Sequence, residues 1–141
     1  MNEFPIPDPD FAPTRPFFEG AARGELVIPR CSRCDRFQWT PPERCRGCGG
    51  EALEWVATSG RATLFSFAIV RRPLLRHFAP LVPYAAGIVT LEEDPTLRLV
   101  TRFVDCDPDG LRIGQRLRAV FRPLGHPSAD WELVVPFFTP A

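Results

Sequence analysis

Cys31-Ser32-Arg33-Cys34 and Cys45-Arg46-Gly47-Cys48 decide how the rest of this chain is read. Two Cys-x-x-Cys pairs separated by ten residues have the spacing of a single tetrahedral metal site. Two residues between the sulfurs let the backbone turn tightly, and 35–44 is long enough to run out and return as a short hairpin. Each pair then forms a knuckle. Gly49 and Gly50 follow the second pair and Asp35 the first, residue types that accept a left-handed backbone where the chain turns around a sulfur. Arg30, Arg33, Arg36, Arg44 and Arg46 crowd the motif and would offset the charge of a dianionic tetrathiolate. Cys31, Cys34, Cys45 and Cys48 are therefore the expected ligands of a structural ion, since four protein ligands leave no open position for water. Zn²⁺ is favoured; iron in a rubredoxin-like site is the alternative, because thiolates alone do not choose the metal.

Two competing readings of the cysteines fail on the surrounding sequence. Two disulfides would need an oxidising compartment, yet residues 1–10 have neither the basic start nor the apolar stretch of an export signal. A zinc deaminase needs a His-x-Glu upstream of its paired cysteines, and no histidine precedes Cys31. No apolar run approaches the about 20 residues that cross a bilayer, so a cytoplasmic protein without a membrane segment is expected, with Cys106 as a free thiol.

A chain of 141 residues has room for a small stapled unit followed by a compact barrel. The expected organisation is an extended arm and short helix over 1–24, a ribbon over 25–58, and a barrel with a C-terminal tail over 59–141. Prolines at 5, 7, 9, 13 and 16 keep the arm extended around Phe4, Ile6 and Phe11. Pro16 opens a helix that Gly24 closes. Short strands at 26–28, 37–40 and 53–56 carry too few apolar residues to fold without a metal. Beyond Thr58-Ser59-Gly60 the pattern is mainly β. Strands are expected over 61–72, with both faces covered in the middle, then 84–91 with a bulge or bend at Gly87, 97–104, 117–124 and 131–135. Five strands broken between the third and fourth suit an OB-fold barrel, with an open sandwich as the alternative.

The knuckles, Trp55, the turn Ser59-Gly60-Arg61, the strand end Val70-Arg71-Arg72-Pro73, Pro83-Tyr84 and Ile113-Gly114-Gln115 occur in an order that carries a resemblance. Over roughly residues 16 to 138 the chain resembles the acyl-CoA-associated proteins that join a rubredoxin-like zinc ribbon to an OB-fold. The resemblance implies a non-catalytic subunit with a thiolase-like partner. That partner would be an acyltransferase, a thiolase or a steroid side-chain aldolase, in some cases with an enoyl-CoA hydratase, and acyl-CoA would lie at the shared interface.

Three surface features suit such a role. The segment 73–83 is long for a hairpin connection and places Leu74, Leu75, Phe78, Leu81 and Val82 where a solvated loop would be polar. It either docks a partner or folds back as a barrel cap. Arg71, Arg72 and Arg76 fit CoA phosphates, carboxylates of a partner, or a plain solvated edge. Phe137 and Phe138 in the tail either close the barrel mouth or enter another subunit.

Other chemistries find less support. All 17 cationic residues are arginine, but the formal net charge is zero, so no global field attracts nucleic acid. The second and third barrel strands offer only Tyr84 and Phe103 for stacking, a poor platform for single strands. Residues 105–110 resemble the start of a calcium loop, but Arg116 stands where a bidentate glutamate is required. Nothing in the sequence activates Cys106 as a nucleophile with His77 or His126 as its base.

Overall fold

A computed structural model describes residues 7–124 and 133–141. Phe4, Ile6, His126 and the beginning of the strand expected over 131–135 lie outside the described residues.

The first element is α1, Arg15–Ala22, with Pro16 in its first turn. Its end is a Schellman motif: Gly24, at φ 77°, donates to the Ala21 carbonyl at 3.0 Å, and Glu25 donates to Gly20 at 2.9 Å. The helix buries Gly20 and Ala21 and packs against Val27–Cys31 of the ribbon and Val134–Pro140 of the barrel. A short antiparallel pair follows, β1 (Val27–Cys31) with β2 (Leu53–Ala57). The expected strand at 37–40 is reduced to one bridge between Phe37 and Arg30. The next side chains have other partners, since Gln38 turns to the sulfurs and the Trp39 ring packs 4.8 Å from Phe17.

Five strands then close a barrel in the order β3, β4, β5, β7, β6. They are β3 (Arg61–Val70), β4 (Tyr84–Leu91), β5 (Asp94–Phe103), β6 (Arg116–Pro123) and β7 (Val134–Pro140). This closure excludes the open sandwich. β3 pairs with both β4 and β6, and β5 meets β7 in parallel at Phe103 and Phe138. That last junction is sealed by the Val104 N–H on the Phe138 carbonyl at 3.0 Å.

Four strand expectations need correction. β3 is not covered on both faces: Ala62 and Leu64 point inward, and the register then shifts between Leu64 and Ser66, leaving Phe65 on the outside. The Arg98 guanidinium, 4.1 Å from that ring, shields it instead of a packed layer. The irregularity expected at Gly87 therefore lies across the ladder. Gly87 itself faces Phe67, where an added Cβ would stand 2.0 Å from the Ser66 carbonyl oxygen. β5 begins at Asp94, earlier than expected, because the turn before it is tight and Leu91 already pairs with Asp94.

The last strand is displaced to Val134–Pro140 despite two prolines. In a strand the N–H and C=O of one residue point the same way, and Phe138 points to β5. Pro136 and Pro140 share that direction, so their missing donors remove no rung from the β6 ladder.

The core does not respect the boundary between ribbon and barrel. Leu26 and Ile28 join Leu64, Val89, Leu99, Leu117 and Phe138 in one buried cluster. Thr58 fastens the connection by donating from both its backbone N–H and its hydroxyl to the Leu26 carbonyl, each at 2.8 Å.

Candidate metal centre

The two knuckles are built alike. The Asp35 N–H bonds the Cys31 carbonyl at 2.8 Å and the Gly49 N–H bonds the Cys45 carbonyl at 2.9 Å, each closing one tight turn around a sulfur. Asp35 at φ 63° and Gly49 at φ 72° hold the left-handed positions expected of them. Each knuckle is then tied back to its chain, Cys31 N–H to the Arg36 carbonyl and Cys45 N–H to the Gly50 carbonyl, both at 2.9 Å.

This brings the four expected sulfurs within 4.8 Å of one another. Cys31 and Cys48 are 3.7 Å apart and Cys34 and Cys45 are 3.4 Å apart. Sulfurs at the corners of a tetrahedron around an ion at about 2.3 Å stand about 3.8 Å apart, so the set fits one metal ion. A disulfide would need about 2.05 Å, and all the cysteines are free thiols here.

The sulfurs are not equivalent. Cys45 is buried and accepts from the Gln38 amide at 3.0 Å and from the backbone N–H groups of Gly47 at 3.3 Å and Cys48 at 3.5 Å. The Cys48 N–H, followed by that of Gly47, lowers its pKa to about 6 against the opposing effect of desolvation. At Cys34 the Arg36 backbone N–H also lowers the pKa, but the bond shared with Cys45, burial and the other two thiols outweigh it and push the group up to about 11.

Gln38 is a contributor that spacing alone did not reveal. It is only 5% exposed, and while its Nε2 reaches Cys45, its Oε1 accepts the Arg46 N–H at 2.8 Å. A glutamine midway between two knuckles was the available signal. The arginines around the site are only partly directed to its charge. Arg30 pairs with Asp35 at 2.9 Å and Arg44 with Glu51 at 2.6 Å.

The remaining candidate residues lie on the barrel. Leu74 is 91% exposed and Leu75 54%, and Leu81 is exposed at the end of a 3₁₀ turn over Arg76–Leu81. Phe78 is half-buried, its ring 5.6 Å from Tyr84. Arg71 is paired with Asp109, while Arg72 and Arg76 are exposed. Phe137 and Phe138 are 6% and 1% exposed, because β7 is an integral barrel strand, and they offer no surface to another subunit in this fold. Phe103 is likewise buried, which leaves the stacking platform for nucleic acid without one of its two aromatics. Cys106 is half-buried; desolvation first, then Asp105 and Asp107, raises its pKa and keeps it a thiol. No helix among the described residues is long and apolar enough to cross a membrane.

Known proteins show the same two parts in the same order. Residues 18–54 match the ChsH2 rubredoxin-like zinc ribbon domain, and residues 55–122 match the ChsH2 C-terminal OB-fold domain. A DUF35 domain-containing scaffold protein of Methanothermobacter thermautotrophicus is 30% identical over 77% of this chain and 80% of its own. A "Probable enoyl-CoA hydratase alpha subunit" of Thermomonospora curvata is 34% identical over 89% of this chain, which spans only 36% of that protein. Among solved structures, a chain of the Ltp2-ChsH2(DUF35) aldolase superposes with a TM-score of 0.76 at 30% identity, covering 97% of this chain and 98% of that one. A DUF35 protein from Sulfolobus solfataricus shares the fold at 15% identity, with a TM-score of 0.59 and coverage of 90% and 84%. With its ribbon, its barrel and nearly its whole length accounted for, the chain belongs to the DUF35 family, in which a rubredoxin-like ribbon precedes a ChsH2-type OB-fold.

Proposed function

We propose that this chain is a non-catalytic scaffold subunit that docks onto a thiolase-like enzyme, an aldolase in particular, acting on acyl-CoA thioesters. The observation that carries the reading is the end-to-end correspondence with a chain of an aldolase assembly, at 97% and 98% coverage. The scaffold naming of the archaeal relatives supports it. The partner supplies the groups that make or break the carbon–carbon bond beside the thioester, and this chain supplies a rigid surface. The ion is zinc and its role is structural, in keeping with a ribbon family described by that metal and a four-thiolate site.

The docking surface includes the exposed Leu74, Leu75 and Leu81, flanked by Arg71, Arg72 and Arg76. Apolar side chains held outward on a short turn are suited to a partner's groove, and a basic border suits its carboxylates or the phosphates of a shared acyl-CoA. The test is capture of the tagged chain from its host at moderate salt, with mass spectrometry of what accompanies it. A thiolase-like subunit in stoichiometric amount is expected, and Leu74→Asp combined with Leu75→Asp should abolish its recovery while leaving thermal unfolding unchanged. Recovery of the wild-type chain alone would overturn the scaffold reading.

A further inference from the structure

Past the register shift that follows Leu64, Phe67 and Ile69 pack on the core cluster, so Ser66, Ala68 and Val70 turn to the outside of the barrel. The ladders set Ser66 beside Ile88 and Val100, Ala68 beside Ala86 and Arg102, and Val70 beside Tyr84. The solvated face of an antiparallel sheet is ordinarily polar. Here β4 turns outward Tyr84, Ala86 and Ile88, none of them fully buried, and Val100 on β5 is 83% exposed.

No carboxylate stands in these rows. The charges beside them are Arg102 and, one row on, Arg98, and the ion pairs among the described residues engage neither. Arg102 lies 4.9 Å from the Phe137 ring and is partly desolvated, which lowers its pKa. A cation drawn partly out of water without an acid beside it gains from a carboxylate brought by another molecule. A second copy of this chain brings none to the shared face, and the arginines of both copies would meet there.

The face runs on into the segment 71–81, because the Phe78 ring packs 5.6 Å from Tyr84 at the start of β4. Three leucines on one turn fall short of the about 800 Å² that each partner of a stable complex buries. Three rows across three strands add on the order of 300 Å² of flat surface.

We propose that the outer face of β3, β4 and β5 is the second part of the dock, receiving a flat apolar surface of the thiolase-like subunit with carboxylates of that subunit on Arg98 and Arg102. This assignment rests on the scaffold reading and extends it from an exposed turn to a sheet.

The experiment is calorimetric titration of the full-length, metal-loaded chain with the thiolase-like subunit identified by capture, at low and raised salt. Val100→Asp and Ala68→Glu, both at exposed positions, should each weaken binding by about 30-fold or more, with melting temperatures close to that of the wild type. Arg102→Gln should weaken it about tenfold and flatten its salt dependence, a change that lost packing alone would not produce. Wild-type affinity in both Val100→Asp and Ala68→Glu would overturn the proposal and leave the scaffold reading to the leucines of the turn. An unchanged salt dependence in Arg102→Gln would overturn the carboxylate assignment. A dimer of the isolated chain in sedimentation, lost in Val100→Asp, would give the face to a second copy and also end the proposal. Capture without any thiolase-like subunit would end both the proposal and the scaffold reading.

Discussion

Gln38 shows how much one side chain can decide. Its buried amide donates to the Cys45 sulfur while accepting the Arg46 N–H, so it links the hairpin to the second knuckle. Hydrogen bonds to a metal ligand orient it and temper its charge, and their removal typically costs about 10- to 100-fold in metal affinity. Gln38→Leu keeps the volume and removes both bonds. It should release the ion to a chromophoric chelator about tenfold or more below the wild-type competition point, while Cys31→Ser, which deletes a ligand, should fail to retain it at all. Wild-type retention in Gln38→Leu would mean that the backbone N–H groups of Gly47 and Cys48 suffice for Cys45. The clustering of the four cysteines was legible from spacing, because tight turns around sulfur are local. The amide was not, since its reach to Cys45 depends on how 35–44 folds back.

At the scale of elements, the ladder between β3 and β4 carries its irregularity on β3, and Gly87 is the residue that allows the strands to approach there. A methyl group would meet the Ser66 carbonyl oxygen and the Phe67 Cα, backbone atoms that cannot swing aside. Gly87→Ala should therefore cost about 3 kcal/mol or more, read from the urea midpoint at unchanged slope. A loss below about 1 kcal/mol would show that the ladder relaxes by moving its bulge. The limits of β4 were readable from its apolar run between prolines and acidic turn residues. Those of β7 were not. Prolines at 136 and 140 argue against a strand in a local reading, and only the pairing direction makes them harmless.

Across the whole molecule, metal site and barrel are coupled through packing. Leu26 and Ile28 precede the first knuckle and sit in the barrel's own cluster, so loosening the ribbon uncovers part of the core. Stripping the metal with a strong chelator should lower the melting temperature on the order of 10 °C and expose apolar surface detectable by dye binding. An unchanged barrel melt would show that the ribbon unfolds alone.

The order of the parts, the gathering of the four cysteines and the presence of a β barrel follow from the sequence itself, because knuckle spacing, turn residues and apolar alternation act over a few neighbours. The tertiary structure alone decided that Phe137 and Phe138 belong to the barrel and not to a docking tail, and that Ala68, Ala86 and Arg102 lie in one row across three strands. Both outcomes depend on pairings between residues far apart in the chain, which closure of the barrel determines and no local pattern encodes.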